Sequence, residues 1–276
     1  MFPERKFTDE QIAQAYARIF LALDTDDVGT IRRLGKALRD VVGGYKAGAI
    51  PMVAQLLDHC TSAFMPTKSV DGRRHMRRFL DGKFADTPAT VRKACQRAAR
   101  DGYDIVTVYG EIGMDAMRDA QAAAHDINPG TRLAVIGVLT SHRKDEERDT
   151  LAEVGTHVTS IDALMLERIG AGMRARLDHA VCSIHEIEVL RRTYAGIKLI
   201  VPGCYTGEPK PGQSRTGTPA HAMRLGAQDL VVGREVLEAA DPVAALRNFA
   251  ESVCEGMFYS GAASVADDPA WPTSSC

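Results

Sequence analysis

Leu133-Ala134-Val135-Ile136-Gly137-Val138 is a run of six residues without a polar side chain. It is too short for an ordinary helix and is rich in aliphatic residues, so it reads as a strand buried on both faces. Strands of that kind belong to parallel sheets with helices packed on either side. Working outward, the same unit recurs in both directions. Upstream, Asp104-Ile105-Val106-Thr107-Val108 gives way to a helical stretch over 114–125, and downstream a charged segment leads into helices over 146–173. Strand-like runs at 19–23, 44–47 and 78–83 precede helical patterns at 27–42, through Leu57, and at 88–100, the last with Pro88 in its first turn. His179-Ala180-Val181-Cys182 leads into a helix over 185–194, and Ile197-Lys198-Leu199-Ile200-Val201 and Asp229-Leu230-Val231-Val232 complete eight strands. Eight β-then-α units in this length predict an α/β protein, a (β/α)8 TIM barrel rather than an open doubly wound sheet. The expected layout is one barrel domain over 1–258, a polar, basic insertion at 61–77 before the third strand, and a flexible C-terminal tail at 259–276 that carries Trp271.

Composition narrows the function classes. Apolar residues make up 45% and charged residues 25% of the 276, an ordinary balance for a protein that buries a full core. A net charge of −2 gives no electrostatic reason to bind nucleic acid or an anionic membrane. No apolar run reaches the roughly 18 residues that span a bilayer. The opening Met1-Phe2-Pro3-Glu4-Arg5-Lys6 lacks the apolar core of a signal peptide, so a cytoplasmic protein is expected. The six cysteines form no CxxC pair and read as buried or incidental thiols. The eight histidines show no HxH or HExxH spacing, and no metal site is expected.

The chemistry concentrates at Asp81-Gly82-Lys83-Phe84-Ala85-Asp86. Asp81 and Lys83 are two apart at the end of a strand and therefore share a face. Asp86 follows in the loop. Asp24 and Lys46 end the first two strands, and Gly233-Arg234 ends the eighth. Each has an ordinary explanation: Asp24 as a helix N-cap, Lys46 reaching along the surface to water, Asp81 and Lys83 as a solvated ion pair. Together they fall at the carboxyl ends of barrel strands, where barrel active sites lie. From Gly203 to Gly217 the chain holds four glycines and two prolines after strand seven, the composition of a lid or binding loop. Loops after strands seven and eight of barrels commonly bind phosphate.

Two phosphate-type motifs are discounted. Gly170-Ala171-Gly172-Met173-Arg174-Ala175 follows a helix rather than a strand, and so lacks the context of a dinucleotide fingerprint. Gly207-Glu208-Pro209-Lys210-Pro211-Gly212-Gln213-Ser214 carries Gln where a P-loop needs Lys, and its prolines offer no N–H to phosphate.

Over most of residues 19–250 the pattern resembles the orotidine 5′-monophosphate decarboxylase family. The landmarks occur in order: Leu21-Ala22-Leu23-Asp24, Lys46-Ala47-Gly48, Asp81-x-Lys83-x-x-Asp86-x-Pro88-x-Thr90-Val91, Val138-Leu139-Thr140-Ser141, Val201-Pro202-Gly203, Gln213, Thr218-Pro219 and Val232-Gly233-Arg234. The resemblance implies cofactor-free decarboxylation of orotidine 5′-monophosphate to UMP, in de novo pyrimidine synthesis. Lys46, Asp81, Lys83 and Asp86 would form a catalytic charge network, with Lys83 protonating C6. Asp24 would bind ribose, Thr140 and Ser141 the pyrimidine edge, and Gln213 and Arg234 the phosphate, with Gly203 and Gly233 also among the substrate-binding residues. Asp86 and Thr90 would reach the neighbouring subunit's site, so a homodimer is implied, with a nucleotide substrate as the only other partner. The chain departs from the family at Gly82, Ala85 and Thr87, which replace bulkier residues, and at Tyr205, where many bacterial members carry Arg. These departures leave two alternatives: a relative acting on another pyrimidine nucleotide or, with Mg2+, on a keto-sugar phosphate, and a binder of phosphorylated ligands without catalysis.

Overall fold

The computed structural model describes residues 7–50, 76–139, 160–209 and 215–258. The strands are β1 (Ile19–Ala22), β2 (Gly44–Ala47), β3 (Arg77–Phe84), β4 (Ile105–Tyr109), β5 (Arg132–Ile136), β6 (His179–Val181), β7 (Lys198–Pro202) and β8 (Asp229–Val232). Each pairs in parallel with its sequence neighbour, and β8 closes on β1, so the eight strands form a closed barrel in chain order. The barrel predicted from the strand count is the one formed.

Helices wrap the outside: α1 (Asp9–Tyr16), α2 (Val28–Ala37), α3 (Pro88–Arg100), α4 (Met114–His125), α5 (Ile161–Arg174), α6 (Ile187–Thr193), α7 (Pro219–Arg224), α8 (Arg234–Leu237) and α9 (Pro242–Phe258). Local chemistry starts them where they start. Asp27, Thr87 and Ser160 each accept a backbone N–H in the first turn of α2, α3 and α5. Pro88 occupies the first turn of α3, where its missing N–H costs nothing. The helix expected over 27–42 stops at Ala37, because the chain must then pass a tight approach. A Cβ on Gly43 would lie 2.5 Å from the Ala17 carbonyl oxygen. The expected 185–194 helix begins as a 3-10 turn at Ile184–Glu186. The helical reading of 146–159, the 61–75 part of the insertion and the tail lie outside the described residues. Helices α1, α7, α8 and α9 were not anticipated; α9 packs against α1 and α7, and the Cys254 thiol donates to the Gln11 carbonyl at 3.3 Å.

Two apolar layers result. Most of the core lies between strands and helices, whereas Phe20, Ala22, Phe79, Ile105, Ala134, Ile200 and Val231 fill the barrel interior. Below them, Arg77 forms a two-pronged pair with buried Asp229 at 2.8 and 2.9 Å, and its guanidinium lies 4.2 Å over the Phe20 ring. That end is closed by packing and ion pairing; the open end carries the chemistry. Gly170 and Gly172 are packing glycines inside α5, since a Cβ would meet the Tyr194 hydroxyl at 2.6 Å and Val135 at 2.7 Å respectively. Cys95, Cys182, Cys204 and Cys254 are free, buried thiols, as the spacing suggested.

Candidate active site

Side chains that point into the barrel alternate along each strand. Two residues beyond Phe20 and Ala22 on β1 comes Asp24, and two beyond Phe79 on β3 comes Asp81. The inward row of β2 brings up Lys46. These positions stand above the apolar interior layer, and they meet. Lys46 Nζ lies 3.1 and 3.0 Å from the two Asp24 oxygens and 3.1 Å from Asp81 Oδ2. Lys83 Nζ donates to the same Asp81 Oδ2 at 2.6 Å. The result is a chain of alternating charge, Asp24–Lys46–Asp81–Lys83. Side-chain exposure grades it: 8% for Lys46 and 12% for Asp81, against 37% for Lys83 and 43% for Asp24. Asp24 is therefore a member of the cluster, and the N-cap of α2 is Asp27.

Burial disfavours charge on Lys46, but Asp81 and Asp24 outweigh it and hold its pKa above the usual lysine value. Burial likewise pushes Asp81 up, and the ammoniums of Lys46 and Lys83 overcome it, holding the carboxyl below the usual range. Both groups stay ionised because each is the other's counter-ion. Removing either would leave the other buried with one of its two counter-ions, Lys46 with Asp24 or Asp81 with Lys83.

Lys83 does not reach Asp81 by simple strand alternation. The β3–β4 register shifts between Leu80 and Phe84, and Lys83 has φ +47°, one of two non-glycine residues in the left-handed region among the described residues. Gly82 makes this bulge possible, because a Cβ there would lie 2.7 Å from the Phe84 ring. Gly48 serves Asp24 in the same way: a Cβ would approach its carboxylate to 2.8 Å. The departure at Gly82 thus has a packing reason, and that at Thr87 has another, since its hydroxyl caps α3.

Above the charge chain opens a cavity of about 420 Å³, lined by Asp24, Lys46, Asp81 and Lys83 on one side and by Gly203, Tyr205, Gly233 and Arg234 on the other. Ile136, Val138 and Leu139 form the wall between them. Nine of the twelve expected site residues lie among the described residues: Asp24, Lys46, Asp81, Lys83, Gly203, Gly233 and Arg234 line the cavity, whereas Asp86 and Thr90 do not. Asp86 is exposed and accepts from the Thr87 N–H at 2.6 Å, and the Thr90 hydroxyl sits 3.0 Å from that of Thr87. Thr140, Ser141 and Gln213 lie outside the described residues. Gly203 has φ +78°, a turn that only glycine makes freely.

Three residues were missed. Thr107, fully buried on β4, contacts both Asp81 and Lys83. Its signal was present: a hydroxyl two residues after Ile105, hence on the interior face of an otherwise apolar strand. Arg215 and Glu186 form a buried ion pair, and Arg215 also donates to the Leu139 carbonyl at 2.8 Å. Twenty-eight residues separate the two in sequence, so no local pattern could reveal them.

Comparisons with known proteins agree with this geometry. The sequence model of the family described as orotidine 5′-phosphate decarboxylase / HUMPS matches residues 17–249. A protein of Anaeromyxobacter sp. (strain K) named orotidine 5′-phosphate decarboxylase is 36% identical over 235 residues, covering 84% of this chain and 96% of the relative. One of the same name from Alkalilimnicola ehrlichii is 33% identical over 237 residues, covering 84% and 94%. The crystal structure of an uncharacterized conserved protein from Geobacillus kaustophilus superposes with a TM-score of 0.63 at 21% identity, over 85% of this chain and 99% of that one, and shares the fold. With a closed parallel barrel, a charged mouth and a family match across nearly all of the barrel, the chain belongs to the orotidine 5′-phosphate decarboxylase / HUMPS family.

Proposed function

We propose that the protein decarboxylates orotidine 5′-monophosphate to UMP without a cofactor, and that Lys83 supplies the proton to C6. The observation that carries this reading is the Asp24–Lys46–Asp81–Lys83 chain at the mouth of the barrel. A charge network whose central members, Lys46 and Asp81, are buried is costly to assemble and has no use in packing. Loss of CO2 breaks the C6–carboxylate bond and leaves the electron pair on C6. An ammonium fixed beside that carbon stabilises the growing charge and then transfers a proton to it. Lys83, the more exposed of the two lysines, fits that task, while Lys46 holds Asp81 and Asp24 in place. Asp81 faces the departing carboxylate, and its repulsion is relieved as CO2 leaves. Asp24 binds ribose hydroxyls. Arg234, with the backbone at Gly203 and Gly233, binds phosphate, and that remote binding energy lowers the barrier at C6. Thr140, Ser141 and Gln213 complete the pyrimidine and phosphate contacts on the family pattern.

Asp86 and Thr90 are exposed and lie off their own cavity, which supports a homodimer in which they serve the neighbouring site. The decisive experiment is an ultraviolet assay of the purified protein with orotidine 5′-monophosphate in excess chelator. Turnover is expected. No activity at micromolar enzyme would overturn the reading, and turnover only of a hexulose or pentulose phosphate with Mg2+ would replace it with the sugar-phosphate one. Tight nucleotide binding without turnover would point to a binder.

A further inference from the structure

Thr107 lies beneath the charge chain and touches two of its members without lining the cavity. Its hydroxyl accepts the Lys83 backbone N–H at 2.9 Å and donates to Asp81 Oδ1 at 3.0 Å. The side chain is fully buried, and its O–H donor and one of its acceptor lone pairs are engaged. The two Asp81 oxygens are thus divided. Oδ2 takes both ammoniums, at 3.1 Å from Lys46 and 2.6 Å from Lys83, while Oδ1 takes the threonine. A carboxylate drawn at one oxygen by two cations turns easily about its terminal bond, whose torsional wells are broad, unless the other oxygen is tethered.

The second contact matters as much. Lys83 holds φ +47° across a register shift between β3 and β4, a conformation that a residue with a Cβ seldom adopts. The Thr107 hydroxyl ties the Lys83 backbone at that point to the middle of β4, a strand paired along its length with β5. Resting on the decarboxylase reading, we propose that Thr107 is a positioning residue of the reaction: its hydroxyl locks the Asp81 carboxylate and the strained Lys83 backbone in the geometry from which the Lys83 ammonium reaches C6. It touches no substrate. It acts by removing freedom from the two groups that do.

The test compares Thr107→Val, which keeps the β-branched shape but loses the hydroxyl, with Thr107→Ser, which keeps the hydroxyl. Thr107→Val is expected to lower kcat about 10- to 100-fold, the range for leaving a buried hydrogen-bonding group unpaired. KM for orotidine 5′-monophosphate should stay within about threefold, because ribose and phosphate contacts are untouched. Thr107→Ser should retain about a third or more of the parent kcat. In a crystal structure of Thr107→Val, either Lys83 leaves positive φ or the Asp81 carboxylate turns. A Thr107→Val enzyme with parental kcat overturns the proposal, as does an equal loss in both variants. If the valine variant fails to fold, Thr107→Ala against Thr107→Ser gives the same comparison without overpacking. If the parent does not turn over orotidine 5′-monophosphate, the decarboxylase reading fails on its own. The crystallographic arm then decides for positioning, and an unmoved Lys83 and Asp81 would overturn it.

Discussion

Lys83 stands at one of the two exposed ends of the charge chain and Lys46 at its buried centre, with side-chain exposures of 37% and 8%. The two lysines are alike in chemistry and differ in surroundings, and in the proposed reaction that difference gives the proton transfer to Lys83. Lys83→Ala should therefore abolish nearly all of kcat while UMP binding, measured by calorimetry, stays within about tenfold, or ~1.4 kcal/mol. A pH argument separates the network from the substrate. Asp81 is held below the usual carboxylate range, so its contribution to stability is present above the unfolded value near 3.9 and is lost as pH falls through the lower folded value. Lys46 is raised, so its contribution is present below the unfolded value near 10.4 and is lost as pH rises through the higher folded one. Between about pH 5 and 9 neither group titrates. Carboxyl carbon NMR, assigned with Asp81→Asn, should show the Asp81 signal unchanged across that range. Movement near pH 6 would mean that the ammoniums do not control it. The identities of Asp24, Lys46, Asp81, Lys83 and Arg234 were legible in the sequence, since strand periodicity and barrel topology place them on one rim. The division of the Asp81 oxygens was not, because it depends on Thr107 from another strand.

At the scale of elements, β3 and the loop after β7 show how the rim is held. Strand alternation put Asp81 and Lys83 on one face, and they do meet, but through a bulge and a left-handed Lys83 rather than through regular pleating. Gly82 and Phe84 explain that bulge through a contact within three residues. The loop after β7 is pinned at its base. Cys204 bridges Gly217, the Tyr205 N–H donates to the Gly217 carbonyl at 2.9 Å, and Arg215 reaches both Glu186 and the Leu139 carbonyl. Arg215 and Glu186 are 4% and 1% exposed, so the pair is a strut joining the base of the loop to the ends of β5 and β6. Arg215→Met should destabilise the fold by about 3–5 kcal/mol, because Glu186 would be left buried without its counter-ion. Urea denaturation measures this, and adding Glu186→Gln should recover part of the loss. A double variant as unstable as the sum of the two singles would show that the ion pair is not what holds the loop. Composition led to the expectation that 203–217 is a lid or binding loop. It could not identify the strut, whose partners come from separate β/α units.

For the whole molecule, barrel closure does the decisive work. Side chains from β1, β2, β3 and β8 share one cavity only because β8 pairs with β1, with Leu21 opposite Val232. The proposed dimer extends that logic to a second chain. A Lys83→Ala chain and an Asp86→Ala chain, each inactive alone, should regain activity after dissociation and remixing, because one site of each heterodimer would hold both residues. If remixing is verified and activity never exceeds either parent, Asp86 acts within its own chain or not at all. What the amino-acid sequence determined by itself was the eight strands and the rim. Eight apolar strand runs, separated by helical periods, allow few topologies, and the period of two along each strand says which residues face inward. What only the tertiary structure decided was which of those inward groups touch. Hydrogen bonds act over about 3 Å, and that distance is set by bulges, by missing Cβ atoms at Gly48 and Gly82, and by packing between strands far apart in the chain. Thr107 facing Asp81 and Arg215 facing Glu186 join adjacent β/α units, so they exist only once those units have packed side by side.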